Sequence, residues 1–299
     1  MASYGHLTRH SGRDARVLLD RELFMSYATP GVGDLDGDGD DELIAVSWDH
    51  AREVRVFGGP ALEQLRWRRE LATGAWATPQ VIRPAPTAEP LVLLALLDNT
   101  LLALRGRDGT PAWSAELDAR TVHAPAIGDL DGDGTLELVV THNQGVELRS
   151  AEDGALRWRR AELGTMKSRA ALVDIDDDGT LEVLIGTNKR GVVALDAAGE
   201  LRWERALLDA DGEPLTVSSP LTVADLEGDG QPELLFGLLD GTLHVLSVRD
   251  GAPLWRFRTT PDQQIEAAPS TVDIDGDGVR EVIVGGHDRH LYCLRHLPR

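Results

Sequence analysis

Short apolar runs recur along the chain without helical spacing, each bounded by Gly, Pro, Asp or Asn; Leu91-Val-Leu-Leu-Ala-Leu96 and Glu281-Val-Ile-Val-Gly285 are examples. Runs of this length, closed by turn residues, predict strands. A second pattern follows each run: a short turn, an apolar strand, a Gly-bearing tight turn, and a strand that carries Trp. Asp240-Gly-Thr-Leu-His-Val-Leu-Ser-Val-Arg-Asp250-Gly251-Ala-Pro-Leu-Trp255 shows it in full. The Asp-Gly pairs are hairpin turns. Trp67, Trp113, Trp158, Trp203 and Trp255 occupy one place in the unit, and a tryptophan that returns with the repeat predicts a wedge between neighbouring units. Four short strands in about 48 residues, repeated, predict an all-β chain of four-stranded antiparallel β-propeller blades.

The polar positions carry their own repeat. An acidic loop stands before the apolar strand at 34–42, 129–137, 174–182, 225–233 and 273–281. From Asp34 to Asp129 is 95 residues, about twice the later intervals of 45, 51 and 48, so one unit is hidden between them. Ala77-Thr-Pro79-Gln-Val-Ile82 opens it in parallel with Ala124-Pro125-Ala-Ile127, and its loop, Arg83-Pro-Ala-Pro-Thr-Ala-Glu-Pro90, has lost the carboxylates. The expectation is therefore six blades in a single domain over 1–299, starting near Pro30, Pro79, Pro125, Ala170, Pro220 and Pro269. The last repeat stops at its third strand, and an orphan apolar stretch at about 15–24 precedes the first. Adding that N-terminal strand to the final blade closes the ring and removes exposed edges.

Each acidic loop places carboxylates at positions 1, 3, 5 and 9 and Gly at 6, a short turn that folds several oxygens around one point, as a hard cation requires. Calcium is the expected ion, at about five sites. Turn chemistry alone uses one or two such residues, whereas four carboxylates in register repel one another unless a cation joins them. An EF-hand opens similarly but needs Glu at position 12; that position is Ala45, Val140, Ile185, Phe236 and Val284.

Composition adds limits. The net charge is −20, yet the five loops hold 23 of the 50 acidic residues, so much of the acidity is ion-binding equipment. Nucleic acid and anionic membrane are poor partners for such a surface. A single cysteine, Cys293, excludes an intrachain disulfide, and no stretch approaches the ~20 apolar residues of a membrane span. No signal peptide is visible. Loops of roughly millimolar affinity would stand empty in the cytosol, which favours an extracellular or periplasmic home over a cytoplasmic one.

The acidic loops resemble those of the FG-GAP/VCBS family of calcium-binding propellers, which includes integrin α-chain heads and calcium-dependent lectins. Hairpin halves such as Gly191-Val-Val-Ala-Leu-Asp-Ala-Ala-Gly199-Glu-Leu-Arg-Trp203 resemble the PQQ-like repeats of quinoprotein dehydrogenases and outer-membrane-assembly scaffolds. The first resemblance implies ligation by the side chains of Asp34, Asp36, Asp38 and Glu42 with the backbone of Asp40. The same roles fall to Asp129, Asp131, Asp133, Glu137 and the Thr135 backbone, and to Asp174, Asp176, Asp178, Glu182 and the Thr180 backbone. They fall also to Asp225, Glu227, Asp229, Glu233 and the Gln231 backbone, and to Asp273, Asp275, Asp277, Glu281 and the Val279 backbone. Glu227 departs from the usual Asp, and its longer arm weakens that site. Glu at position 9 either ligates or begins the strand.

If the ion loops join first and second strands on one rim, the other connections emerge opposite. That rim gathers Tyr27, Trp48, His50, Trp76, His123, His142, Lys167, Arg169, Lys189, Glu266 and His287, aromatic anchors among adaptable polar groups that suit a protein loop or a sugar. His123, His142 and His287, from three repeats, offer a second metal site. The chain shows no Gly-x-Ser-x-Gly elbow, phosphate-cradling Gly loop or Cys-x-x-Cys pair. The expected function is a calcium-binding, non-catalytic recognition or adhesion module for protein or glycan, acting as a monomer or as a domain of a larger protein. A calcium-dependent lectin and a polysaccharide lyase are the alternatives.

Overall fold

The computed structural model describes residues 2–3, 5–48, 50–59, 62–259 and 263–295. It is built almost wholly of strands, and among the described residues no helix is long and apolar enough to cross a membrane. Strands β1 (Ala2–Ser3), β2 (His6–His10) and β3 (Val17–Glu22) form a first, three-stranded sheet. The repeat then begins. β4 (Gly31–Gly33), β5 (Glu42–Val46), β6 (Glu53–Gly58) and β7 (Gln64–Glu70) make one antiparallel sheet. β8 (Gln80–Ile82), β9 (Leu91–Ala95), β10 (Thr100–Arg105) and β11 (Pro111–Glu116) make the next, in the repeat that lacks an acidic loop. β12 (Ala126–Gly128), β13 (Glu137–His142), β14 (Gly145–Ser150) and β15 (Leu156–Arg160) follow, then β16 (Ala171–Val173), β17 (Glu182–Gly186), β18 (Val192–Leu195) and β19 (Leu201–Arg205). β20 (Thr222–Ala224), β21 (Glu233–Gly237), β22 (Thr242–Ser247) and β23 (Pro253–Arg258) form the last four-stranded sheet, and β24 (Ser270–Val272), β25 (Glu281–Gly285) and β26 (Leu291–Leu294) end the chain as three strands.

The strand order agrees with the sequence, but the N-terminal stretch does not take its expected place. The described residues form seven sheets, five of four strands and two of three. β3, the stretch expected to complete the last repeat, pairs instead with β2, matching Leu7 to Arg21 and His6 to Glu22. Closing a hairpin through the short loop 11–16 costs far less chain entropy than joining the two ends of the polypeptide. The strand His6–His10 escaped notice because Leu7 is its one buried apolar residue.

By compactness the chain divides into two units. One is the chain up to Pro125 with Gly134–Leu138 and Arg149–Arg157; the other is Ala126–Asp133, Val139–Leu148 and the chain from Trp158 on. In the first unit the core packs Leu35, Ile44, Val46, Val54, Val56 and Trp67 against Val92, Leu94 and Leu104. In the second, Leu184, Val192 and Ala194 pack against Leu234, Phe236 and Leu246. Second strands are buried on both faces, as in Leu91–Ala95 and Glu182–Gly186, whereas fourth strands alternate and turn one edge to solvent. This gradient explains the sequence pattern: a continuous apolar run inside, a polar strand with one inward Trp outside.

The periodic tryptophan is indeed a wedge. Trp67 Nε1 donates to the Gly106 carbonyl at 2.7 Å, Trp113 to Ala151 at 3.2 Å, Trp158 to Ala197 at 2.8 Å and Trp203 to Val248 at 3.1 Å, each acceptor lying one repeat further on. Each ring also rests on the turn glycine of that next repeat. At Gly109, with φ +69°, an added β-carbon would stand 2.6 Å from the Trp67 ring. Glycine is thus needed both for the left-handed turn and for the room.

Candidate metal loops and an aromatic rim

The ladders hold each acidic loop at both ends: Gly33 pairs with Glu42, Val173 with Glu182, Ala224 with Glu233 and Val272 with Glu281. Between these ends the position-1 aspartate gathers backbone N–H groups. Asp34 accepts from Gly37 at 2.6 Å and Gly39 at 3.2 Å, Asp225 from Gly228 at 2.7 Å and Gly230 at 2.8 Å, and Asp273 from Gly276 at 2.6 Å and Gly278 at 2.9 Å. The position-6 glycines, Gly39, Gly134, Gly179, Gly230 and Gly278, all have φ between 83° and 89°, a conformation that costs other residues. The position-5 aspartate accepts from the residue two further on: Asp38 from Asp40, Asp178 from Thr180, Asp229 from Gln231 and Asp277 from Val279.

Glutamate at position 9 does two things. It begins the second strand, and in four loops its Oε2 accepts the backbone N–H of position 2, from Leu35, Ile175, Leu226 and Ile274 at 2.8–3.0 Å. The other oxygen, Oε1, is buried in Glu42 and Glu281 with no hydrogen-bond donor among the described residues, and the two side chains are only 2% and 6% exposed. A buried carboxylate oxygen without a donor is costly. In Asp34, Asp36 and Glu42 the oxygens lie within 4.8 Å of one another, and the same holds for Asp129, Asp131 and Glu137, for Asp174, Asp176 and Glu182, and for Asp273, Asp275 and Glu281. That spread suits a cation held at about 2.3–2.6 Å from each oxygen, so donor chemistry, spacing and the orphaned oxygens fit calcium. Asp225, Glu227 and Glu233 do not form such a triad, in keeping with the longer arm of Glu227.

Electrostatics follow from this crowding. The Gly37 N–H holds the Asp34 carboxyl below its ordinary range, and the Thr180 hydroxyl does the same for Asp178. Burial pushes Glu42 and Glu182 up, against the Leu35 and Ile175 N–H groups and the charges of Arg66 and Arg202. Glu233 is pushed up to about 7, by burial first and then by Asp229, Asp225 and Glu227, against the Leu226 N–H.

Arginines lie over four of the loops, a feature that sequence reasoning missed. Arg66 reaches Asp36, Asp38 and Glu42 at 3.7–3.8 Å. Arg157 pairs with Glu137 at 3.0 Å, Arg202 pairs with Asp176, and Arg295 pairs with Asp275 at 2.9 Å and with Asp277.

The residues of the expected rim are divided between the two compact units. In the first unit Tyr27, Trp48 and Trp76 form one aromatic cluster, with ring centroids 4.8, 6.2 and 6.4 Å apart. Tyr27 is 60% and Trp76 39% exposed. The Arg120 guanidinium, another residue not foreseen, lies 5.7 Å from the Trp76 centroid, and Trp48 Nε1 is buried without an acceptor among the described residues. His50 is exposed and His123 half-buried. In the second unit Lys167, Arg169 and Lys189 are exposed, and His287 meets Glu266 at 3.1 Å. His142 corrects the sequence reading. It is buried at the end of β13, where Nδ1 accepts from the Gln144 N–H at 3.1 Å and Nε2 faces buried Glu147 at 3.1 Å. Both ring nitrogens are therefore engaged, which removes His142 from the surface and from any three-histidine metal site.

Repeating antiparallel sheets locked by a tryptophan wedge define a β-propeller-like repeat protein. The family profile described as outer membrane protein assembly factor BamB matches residues 59–228 and 143–295, and the chain belongs to that family. This is the quinoprotein-type half of the resemblance drawn from the sequence. No curated protein matches the chain in sequence. Among solved structures, Sqt1 of Saccharomyces cerevisiae is 11% identical over 98% of this chain and 79% of its own, with a TM-score of 0.68. BBS1N in complex with ARL6DN is 14% identical over 87% and 77%, with a TM-score of 0.55. BamB from Moraxella catarrhalis is 13% identical over 99% and 92%, with a TM-score of 0.50. At such identities the likeness is one of fold.

Proposed function

We propose that the chain is a calcium-stabilised propeller that binds a protein partner without catalysing a reaction, in an extracytoplasmic compartment. The observation that carries the binding role is the exposed Tyr27–Trp48–Trp76 cluster, since aromatic side chains that already pack on one another offer a rigid anchor at little entropic cost. Membership of a family described as an assembly factor, and the partner named for BBS1N, support a protein as the ligand. The buried Oε1 atoms of Glu42 and Glu281 support calcium as the stabilising ion, and calcium of roughly millimolar affinity supports the extracytoplasmic location.

The test compares wild type with Trp76→Ala, both loaded with calcium, for retention of a protein from extracytoplasmic extract and for binding to a glycan array. A specific protein held by wild type and lost by the variant, at unchanged melting temperature, is the expected result. Equal retention by both overturns the assigned surface. Glycan binding lost with Trp76 would make the protein a lectin, and turnover of a uronate polymer would make it a lyase.

A further inference from the structure

The four arginines over the acidic loops do not arrive there by one route, and the strand register shows why three of them recur. In the first repeat Val56 pairs with Trp67 and Phe57 with Leu65, which leaves Arg66 unpaired in a bulge. The same skip passes over Ala112 in the second repeat, Arg202 in the fourth and Leu254 in the fifth. A bulge re-aims the side chain of its extra residue, and here the extra residue faces the acidic loop of its own sheet. Arg66 and Arg202 meet carboxylates there, as does Arg157, the residue before Trp158 in the third repeat. In the repeat that has lost its carboxylates the bulge residue is Ala112. The first sheet is shaped around the contact, because a β-carbon at Gly58 would collide with the Arg66 side chain and come within 2.8 Å of Glu42 Oε1. In the fifth repeat, whose loop does not gather the same triad, the bulge holds Leu254.

The geometry points to the arginines that precede the periodic tryptophan, Arg66, Arg157 and Arg202, as built-in counter-cations that compete with calcium for the same oxygens. The inference rests on the calcium reading of the loops. Arg66 reaches oxygens of two members of the triad that fits calcium, Asp36 and Glu42, and also Asp38; guanidinium and ion cannot both approach them closely. Arg66, Arg157 and Arg202 keep 35%, 36% and 38% of their side chains exposed. Each can therefore swing into water without stranding a buried charge, which makes the contact exchangeable. Without calcium the arginine limits repulsion among the carboxylates; with calcium it withdraws.

The experiment titrates calcium into chelator-stripped full-length wild type, Arg66→Leu and Arg202→Leu by calorimetry, and melts each protein in chelator and in excess calcium. A unit charge roughly 5 Å from a divalent ion at near-aqueous screening changes affinity about tenfold. R66L is expected to tighten one binding step by about that factor and to melt lower than wild type in chelator, with the gap narrowing in calcium. R202L is expected to tighten another step by a similar factor and to melt lower in chelator. Folded R66L with unchanged or weaker calcium binding overturns the proposal, as does folded R202L with an unaltered titration. Wild type that takes up no calcium at all refutes the calcium reading instead. In that case the combined R66L/R157L/R202L variant decides: acquired calcium binding sustains the arginines as the block, and continued failure to bind overturns it.

Discussion

Removing the tryptophan wedge at Trp67 tests whether neighbouring repeats are held together by packing or merely adjoin. Trp67 is 9% exposed, belongs to the core that includes Val56 and Leu104, and donates to the Gly106 carbonyl at 2.7 Å. Trp67→Ala removes the ring and leaves a cavity, a change that costs about 3–5 kcal/mol at a buried site. Trp67→Phe keeps most of the apolar contact but strips the Gly106 carbonyl of its donor, so about 1–3 kcal/mol is expected. Gly109→Ala should fall in the same range, since it combines the roughly 1–2 kcal/mol strain of a left-handed residue with a collision against the ring. Urea unfolding followed by circular dichroism measures all three, with unchanged slope as the sign that the denatured state is untouched. If Trp67→Phe and Gly109→Ala both stay within about 0.5 kcal/mol of wild type, as surface substitutions do, the wedge is not a lock and the stated basis of the repeat is wrong.

Four further outcomes are expected. Stripping calcium should lower the melting temperature, and Glu42→Gln combined with Glu281→Gln should shrink that calcium-dependent difference, read by calorimetry with and without chelator. His142→Ala should destabilise by about 1–3 kcal/mol, because it removes a hydrogen-bond partner of the buried Glu147 carboxylate; denaturant unfolding checks it. Burial lowers the His244 pKa, with Asp240 opposing and Arg256 assisting, and the ring stacks on Phe236 at 5.7 Å. The unfolded chain therefore binds this proton more readily, so the stability it confers is complete above the ordinary histidine range and declines as pH falls through it towards the lowered value; melting from pH 7.5 to 5.5 should show the decline, and His244→Gln should flatten it. Gly58→Ala should crowd both Arg66 and Glu42 Oε1 and alter the calcium titration, read by calorimetry.

The residues that spoke plainly in the sequence were those fixed by local geometry. Aspartate at loop position 1 and glycine at position 6 are dictated by a turn only a few residues long, so spacing alone identified them. Trp67 and its counterparts were legible because a large apolar residue at a constant interval must pack on something. What stayed hidden depends on register. Arg66 reads as one more polar residue on an outward strand until the skip opposite Val56 and Phe57 shows where it is aimed. Glu42 looked like either a ligand or the start of a strand; it begins β5, and its two oxygens have different fates. His142 sits beside Asn143 and resembles a turn residue, but strand pairing carries it inward to Glu147. The N-terminal sheet was missed because a strand with one buried residue leaves almost no hydrophobic signal.

Because Trp67, Trp113, Trp158 and Trp203 donate to carbonyls 38, 39 or 45 residues downstream, each of their four sheets leaves the ribosome with its outer strand still waiting for an acceptor that has yet to be translated. Maturation must trail synthesis by one unit, and any pause in that interval prolongs the exposure of an indole and the groove beside it. A chaperone that shields the nascent chain would therefore find the same binding opportunity presented again and again, in step with elongation.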